Sequence, residues 1–165
     1  MGNEFNYDDV STYTLENSDE QALIAAQDEC TFMWSTKDGW PVGVIMSYIY
    51  ADECFWLSVS SLRVRVLAVA REPRTSISIT SKGTSLSAAL SLTYKGECEV
   101  LNDRKTIDWF LPTLAKRLRK DDKAAQQDFV RLNNTPNRRV LKFRPLKKIG
   151  FDSRKMRRAT IEAAQ

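Results

Sequence analysis

Residues 92–100 alternate strictly between apolar and polar side chains, and this pattern limits the fold more than any other feature of the chain. One face carries Leu92, Tyr94, Gly96, Cys98 and Val100, and the residues between them are polar or charged. A period of two residues is that of a β-strand, and one polar face is typical of an antiparallel sheet. The chain is therefore predicted to build an antiparallel sheet with one buried side.

Five further segments have the composition and alternation of strands. Lys37-Asp38-Gly39 is a turn sequence between two of them, which predicts a hairpin. The second strand of that hairpin is apolar on both faces, so we expect it to be covered on both sides. The predicted strands are 31–35, 40–50, 54–59, 74–81, 92–100 and 139–149.

Apolar residues at helical spacing predict the remaining elements. Ser18 and Gln21 have the spacing of a capping box and predict the start of the first helix. Asn102 or Asp103 is expected to cap a later helix, in which Pro112 predicts a kink. The predicted helices are 18–26, 62–71, 103–118 and 122–132, with a basic helix from residue 152 onward.

With 165 residues, the chain has the length of one domain. Six antiparallel strands joined by hairpins and a few helices predict a mainly β fold, a small barrel that closes its own edges. We expect an N-terminal arm over residues 1–17, the barrel domain over 18–150 and a basic C-terminal tail over 151–165.

The chain contains no histidine, which excludes Ser-His and Cys-His catalysis and most zinc and heme sites. The three cysteines lack the paired spacing of a metal site and are predicted to be buried free thiols. We therefore nominate neither metal ligands nor catalytic residues, and expect an organic cofactor to carry any reaction. Without a signal sequence or an apolar run of roughly 20 residues, the protein is predicted to be soluble and cytoplasmic, with no membrane contact.

Charge is distributed unevenly along the chain. Residues 1–36 hold eight acidic and no basic residues, whereas residues 138–158 hold ten basic residues and one acidic residue. The basic end suits nucleic acid, a phosphate-bearing ligand, the acidic end of a partner subunit or simple solvation. Nucleic acid is the weakest of these interpretations, because aromatic residues are not interleaved with the charges.

The best candidate for a phosphate site is the segment SVSSLRVR, residues 58–65. Hydroxyl groups at the end of a strand precede a helix start, where free backbone N–H groups favour an anion, and two arginines follow. An ordinary helix cap with surface arginines is the alternative. Gly43, inside an otherwise bulky strand, indicates either close approach of a ligand or a bulge.

The order of these segments resembles the pyridoxamine 5′-phosphate oxidase-like, FMN-binding split-barrel family, over about residues 29–156. TFMWSTKDGWPVGVIMSYIY is similar to the first hairpin of that family, and FWLSVSSLRVRVLAVAREPRTSISI to its strand, basic helix and following strand. YKGECEVLNDRKTIDWF resembles its glycine-containing strand, and VLKFRPLKKIGFDSRKM its closing strand. The resemblance implies a six-stranded antiparallel split β-barrel that dimerises with itself.

The resemblance also implies one flavin at each of two sites in the homodimer interface. The phosphate would contact Arg65, with Arg63, Ser58 and Ser60 beside it, and the ring would lie on the backbone around Gly43, Val44 and Met46. Lys82 would reach the phosphate or a substrate carboxylate, or is a solvated loop lysine. Trp109 would cover the ring from the partner subunit, or belongs to the core.

The implied function is hydride transfer between bound FMN and a small organic substrate. Pyridoxamine phosphate itself is not the expected substrate, because the substrate-phosphate pattern of the vitamin-forming oxidase is missing. Two alternatives remain open, namely an oxidoreductase that uses the deazaflavin coenzyme F-420 and a flavin-binding protein without turnover. The acidic tail of the deazaflavin would suit the basic residues Lys147, Lys148, Arg154 and Lys155, which would pair equally well with the acidic N-terminal arm across the dimer.

Overall fold

The computed structural model describes residues 9–164, and its elements follow the order that the sequence predicts. Strands and helices are interspersed along the whole described chain. In chain order they are α1 (Asn17–Ala26), β1 (Glu29–Ser35), β2 (Pro41–Ala51), β3 (Cys54–Ser60), α2 (Val64–Arg71), β4 (Arg74–Thr80), β5 (Leu90–Leu101), α3 (Arg104–Leu118), α4 (Lys123–Asn133), β6 (Arg138–Asp152) and α5 (Ser153–Ala163).

The strands form one closed barrel in the order β1-β2-β3-β6-β5-β4, and every neighbouring pair is antiparallel. The ring closes between β1 and β4, where Phe32 lies opposite Ile77. Closure pairs the backbone groups that an open sheet would leave free at its edges. The predicted mainly β architecture, a six-stranded antiparallel barrel with peripheral helices, is confirmed.

Alternate residues of each strand fill the interior of the barrel. Leu92, Tyr94 and Cys98 of β5 are buried there, so the apolar face predicted for this strand is the core face. Gly96 belongs to the same face and gives room to the ring of Phe143, since a Cβ on Gly96 would lie 2.6 Å from Phe143 Cζ. The close packing of this core requires a residue without a side chain at position 96.

A second apolar cluster lies outside the barrel, beneath α3. Ile49 of β2 and Trp56 of β3 face outward at this point and pack against helix residues that include Phe110 and Leu114. This contact explains why β2 is apolar on both faces, because Tyr48 points inward while Ile49 lies under the helix. The expectation that β2 is covered on both sides is confirmed for this half of the strand.

The helix starts follow local capping chemistry only in part. Asp103 caps α3, because its Oδ1 accepts a hydrogen bond from the backbone N–H of Thr106 at 2.9 Å. The predicted capping box is wrong, since α1 begins at Asn17 and its N-cap residue is Glu16, which makes no side-chain cap bond. Ser18 therefore lies inside the first turn. Pro112 is inside α3, which continues to Leu118.

Ion pairs connect the acidic N-terminal segment to the basic C-terminal segment of the same chain. They are Lys148 with Glu20, Arg154 with Asp19 at 2.5 Å, and Lys155 with Glu16 at 2.5 Å. The uneven charge seen in the sequence therefore brings the two ends of the chain together. These contacts are intramolecular, so they do not require the partner subunit.

Part of the predicted N-terminal arm is packed on the barrel. Tyr13 and Leu15 are buried, and the backbone N–H of Asp152 donates to the carbonyl oxygen of Tyr13 at 2.7 Å. The first eight residues of the arm lie outside the described residues. Between residues 9 and 164, no helix is both long and apolar enough to cross a membrane.

The three cysteines are free and buried, as the sequence predicts. Burial raises the pKa of the Cys30 thiol to about 12, because the low-dielectric interior disfavours the thiolate. Cys54 and Cys98 are shifted in the same direction, also mainly by burial. These thiols are therefore protonated and unreactive near neutral pH.

Candidate functional site

The end of β3 and the start of α2 form the site that the sequence nominates for a phosphate. Ser58 and Ser60 lie on the outer face of β3, and both are half-buried. Ser60 Oγ accepts a hydrogen bond from the backbone N–H of Leu62 at 3.3 Å, and the carbonyl of Ser60 accepts one from Arg63 at 3.0 Å. The turn between strand and helix is therefore tight and fixed by the serine.

The N-terminus of α2 lacks a side-chain cap. Arg63 is the N-cap residue, it makes no cap hydrogen bond, and no acidic residue lies in the first turn. The first backbone N–H groups of a helix have no intrahelical partner and carry a partial positive charge. Arginine in place of the usual Ser, Thr, Asp or Asn adds positive charge where a capping carboxylate would remove it.

Arg65, in the first turn of α2, is half-buried and incompletely paired. Its Nε is buried and has no hydrogen-bond partner. Burial lowers the pKa of the guanidinium, and the neighbouring Arg63 lowers it further. A buried guanidinium nitrogen without a partner is unusual in proteins, and a bound anion would provide that partner.

A third arginine reaches this site from a distant part of the chain. In the β3–β6 ladder Arg138 lies opposite Ser60, and its guanidinium donates to Ser58 Oγ at 2.8 Å. The same side chain also donates to the carbonyl oxygen of Asn133 at 2.8 Å. Burial lowers its pKa. Arg138 was not nominated from the sequence, because only the strand pairing brings residue 138 next to residue 58.

Arg63, Arg65 and Arg138 are called the arginine cluster below. Within the part of the chain that the structure describes, none of these three arginines forms an ion pair with a carboxylate. Other arginines of the chain are paired, among them Arg104, Arg144 and Arg154. Three arginines therefore start from the end of β3 and its neighbouring strand and helix, and no carboxylate of the described chain pairs with them.

The nominated residues of β2 point in two directions. Met46 is buried in the barrel interior and Val44 packs against the same core, so their side chains face away from the outer surface. Gly43 is exposed on the outer face. A Cβ there would lie 2.9 Å from Thr31 Cγ2 and 3.1 Å from Met33 Cγ, so packing against β1 also favours glycine. A ligand on this face would contact the backbone of β2, as the resemblance implies.

Lys82 and Trp109 lie apart from the arginine cluster. The backbone carbonyl of Lys82 accepts from Gln27, two residues before the start of β1, whereas Arg71 at the end of α2 donates to Ser35 at the other end of β1. Lys82 and α2 therefore occupy opposite ends of β1 within one chain. Trp109 packs edge-on against Trp56 at 4.9 Å between ring centroids and remains 39% exposed.

The outward side of α2 is apolar and exposed. Leu62, Val64 and Leu67 are 78%, 73% and 71% exposed. Arg63 and Arg65 lie between Leu62 and Leu67 in the sequence. Neighbouring exposed apolar side chains of this size are typical of interaction surfaces. This surface, called the α2 face below, adjoins the candidate phosphate site.

Comparison with family models and with curated proteins finds no match for this chain. Many solved structures have the same fold, and three of them illustrate it. A heme storage protein of Vibrio cholerae superposes with a TM-score of 0.66 at 10% identity, covering 82% of this chain and 94% of that one. An FAD-binding protein of Mesorhizobium loti superposes with a TM-score of 0.63 at 17% identity, covering 84% and 96%.

The third structure is a candidate pyridoxamine 5′-phosphate oxidase of Listeria innocua. It superposes with a TM-score of 0.59 at 13% identity, covering 80% of this chain and 94% of that one. At such identities, similarity of this kind establishes the architecture and not the chemistry. The strand order, the closure and these superpositions agree, and the chain therefore has the split-barrel fold of the pyridoxamine 5′-phosphate oxidase-like proteins.

Proposed function

We propose that this protein is an FMN-dependent oxidoreductase that works as a homodimer and transfers hydride between bound FMN and a small organic substrate. The observation that carries the proposal is Arg65, whose buried Nε has no partner, within a cluster of arginines that no described carboxylate neutralises. A phosphate monoester dianion has the charge and the acceptor oxygens to satisfy such a cluster.

The start of α2 provides the contacts for the phosphate in this proposal. Arg63 and Arg65 contribute two guanidinium groups, and the uncapped helix start contributes backbone N–H groups and the positive end of its dipole. Arg138 acts as a positioning residue, because it holds the hydroxyl of Ser58 through a 2.8 Å hydrogen bond.

The outer face of β2 is the proposed surface for the flavin ring. Gly43 leaves the backbone of β2 exposed there, and Ile45, on the same face, is an exposed apolar residue. Bound FMN would supply the hydride acceptor and donor, while the chain supplies orientation and an apolar, water-poor surface.

FMN is favoured over the deazaflavin coenzyme by the ion pairs of the C-terminal segment. Three of the four basic residues that would suit the acidic tail of the deazaflavin are already paired with acidic residues of the N-terminal segment, namely Lys148, Arg154 and Lys155, whereas Lys147 has no ion pair within residues 9–164. Flavin is favoured over heme by the composition of the chain, because it has no histidine and its three cysteines are buried.

The α2 face is the proposed contact with the second subunit. Its three apolar residues are interleaved with Arg63 and Arg65, so a copy of the chain docked there would also shield the phosphate from water. Shielding strengthens a charge-assisted hydrogen bond. The expected species in solution is a dimer near twice 18.9 kDa.

The experiment is a fluorescence titration with FMN and with riboflavin, which differs from FMN only by the phosphate. The wild type is expected to bind FMN at micromolar or better affinity, and riboflavin at least tenfold more weakly. Arg65→Ala should weaken FMN about tenfold and leave riboflavin unchanged, so that the preference for the phosphate disappears. Arg119→Ala is the matched control, since Arg119 is exposed at the end of α3.

Two results would contradict the proposal. If Arg65→Ala keeps the wild-type preference for FMN over riboflavin, the phosphate does not bind at the arginine cluster. If the wild type binds neither compound and sediments as a monomer, the flavin and dimer assignments are both wrong.

A further inference from the structure

A cavity lies on the barrel, and none of its lining residues belongs to the arginine cluster. Its volume is about 430 Å³, and it is lined by residues of β1, β2, β4, β5 and β6. Met33, Pro41 and Leu146 give it an apolar surface, and Lys95 and Lys147 contribute two positive charges. We call it the lysine pocket.

The strand register brings the two lysines together. Met33 lies opposite Ser76, Ser76 lies opposite Lys95, and Lys95 lies opposite Lys147, so these residues form one row across β1, β4, β5 and β6. A register shift between Lys95 and Gly96 places Lys147 opposite Lys95; without it, Leu146 would take that place. Bulges of this kind often re-aim side chains beside functional sites.

The lysine pair interrupts an otherwise complementary ladder of charges. Farther along the same two strands, Glu99 pairs with Lys142 at 3.5 Å and Glu97 pairs with Arg144 at 2.6 Å. Lys95 and Lys147 are like charges directly across the ladder, and neither has an ion pair within residues 9–164. Like charges in directly opposed positions destabilise a sheet, and an anion between them would remove that cost.

Thr75 also lines the cavity, but its hydroxyl points away from the lysines. Thr75 lies opposite Gly96 on the core face of the sheet and is only 6% exposed, whereas Lys95 and Lys147 lie on the outer face. The charge of the cavity therefore comes from the two unpaired lysines.

We propose that the lysine pocket binds a small organic anion whose carboxylate or phosphate lies between Lys95 and Lys147. The apolar body of this ligand lies against Met33, Pro41 and Leu146. Met33, against which the apolar body lies, is directly opposite Gly43 in the β1–β2 ladder, whereas Lys95 is three strands, about 14 Å, from Gly43. The ligand is therefore placed to be the redox substrate, and this last assignment rests on the proposed function, whereas the binding site itself does not.

The test is a titration of the flavin-free, full-length protein with benzoate and with phenyl phosphate, followed by amide NMR. Either ligand should change the chemical shifts of the amides of Ser76, Lys95 and Lys147. The ligand that binds with the higher affinity identifies the preferred anionic group, carboxylate or phosphate. Benzyl alcohol, which has the ring without the charge, should bind at least tenfold more weakly. Lys95→Gln with Lys147→Gln in one chain should weaken the anion about tenfold or more.

Control variants separate this site from the arginine cluster. Lys105→Gln with Lys116→Gln removes the same charge from exposed positions of α3 and should leave binding unchanged. Arg65→Ala should weaken FMN about tenfold but leave the affinity for the anion unchanged, and the Lys95/Lys147 variant should weaken the anion about tenfold or more but leave the affinity for FMN unchanged.

Three results would overturn the inference. One is benzyl alcohol binding as tightly as benzoate, which would leave the lysines without a role. Another is unchanged anion affinity in the Lys95/Lys147 variant while its Tm shows that it is folded. The third is loss of FMN together with the anion in that variant, which would make the pocket part of the flavin site.

Discussion

Substitution of Gly96 by alanine tests the packing of the barrel at the point where the lysine pocket meets the core. A Cβ at this position would overlap the carbonyl oxygen of Arg144 and would lie 2.6 Å from Phe143 Cζ. Carbon atoms in contact are ordinarily about 3.5–4.0 Å apart, so β6 has to move by about 1 Å. The overlapped oxygen belongs to the backbone of a paired strand, which cannot turn aside as a flexible side chain can.

The expected loss follows from two opposing effects. Overpacking a close-packed core costs about 3 kcal/mol in a rigid location, and the smaller entropy of the unfolded alanine chain returns about 0.7 kcal/mol. The net loss of about 2 kcal/mol corresponds to a fall in Tm of about 4–8 °C for a domain of this length. Thermal unfolding followed by circular dichroism measures it at one fixed protein concentration, since the proposed dimerisation would make Tm depend on concentration.

Gly43→Ala is the matched control for this experiment. The Cβ would meet Thr31 Cγ2 at 2.9 Å and Met33 Cγ at 3.1 Å, and both are side-chain atoms on a partly open face. The two side chains can shift, so Tm should fall by less than half as much as in Gly96→Ala. A Gly96→Ala protein within about 2 °C of the wild type, or a Gly43→Ala protein that is equally destabilised, would refute the packing argument.

Two further predictions concern the chain ends and the cysteines. Glu20→Ala should lower Tm by about 4–8 °C, because Glu20 is 9% exposed and accepts hydrogen bonds from Tyr94 and Lys148. Glu16→Ala breaks an exposed ion pair with Lys155 and should change the free energy of unfolding by less than about 1 kcal/mol. Equal shifts of Tm in the two variants would contradict this prediction. Burial raises the pKa of Cys30 from about 9 to about 12, so the folded chain holds this proton more tightly than the unfolded chain. The free energy of unfolding should therefore be unaffected by Cys30 below about pH 9 and should fall as the pH rises toward 12. Iodoacetamide at pH 8 should therefore label none of the three thiols in the folded protein and all of them in denaturant, which mass spectrometry measures. Labelling of the folded chain would contradict this prediction, because it would show that the thiols are accessible.

The sequence by itself determined the strands, the barrel class and part of the candidate site. The alternation at residues 92–100 and the turn around Gly39 are local signals, and a side-chain period of two residues needs no tertiary information to be recognised. The same is true of the serine and arginine segment, because hydroxyl groups and arginines at a strand-to-helix junction are contiguous in the chain. The local rule failed at Ser18, which lies inside the first turn because α1 already begins at Asn17.

Only the tertiary structure decided which distant residues complete each site. Arg138 joins Ser58 from 80 positions away, because β6 is inserted between β3 and β5 in the ring. Lys147 faces Lys95 because of one register shift, which alternation alone does not reveal. Local sequence specifies the face of the strand on which each side chain lies, whereas the order and register of the strands decide which side chains of other strands it contacts. The unpaired charges that carry both proposed sites therefore became visible only in the closed barrel.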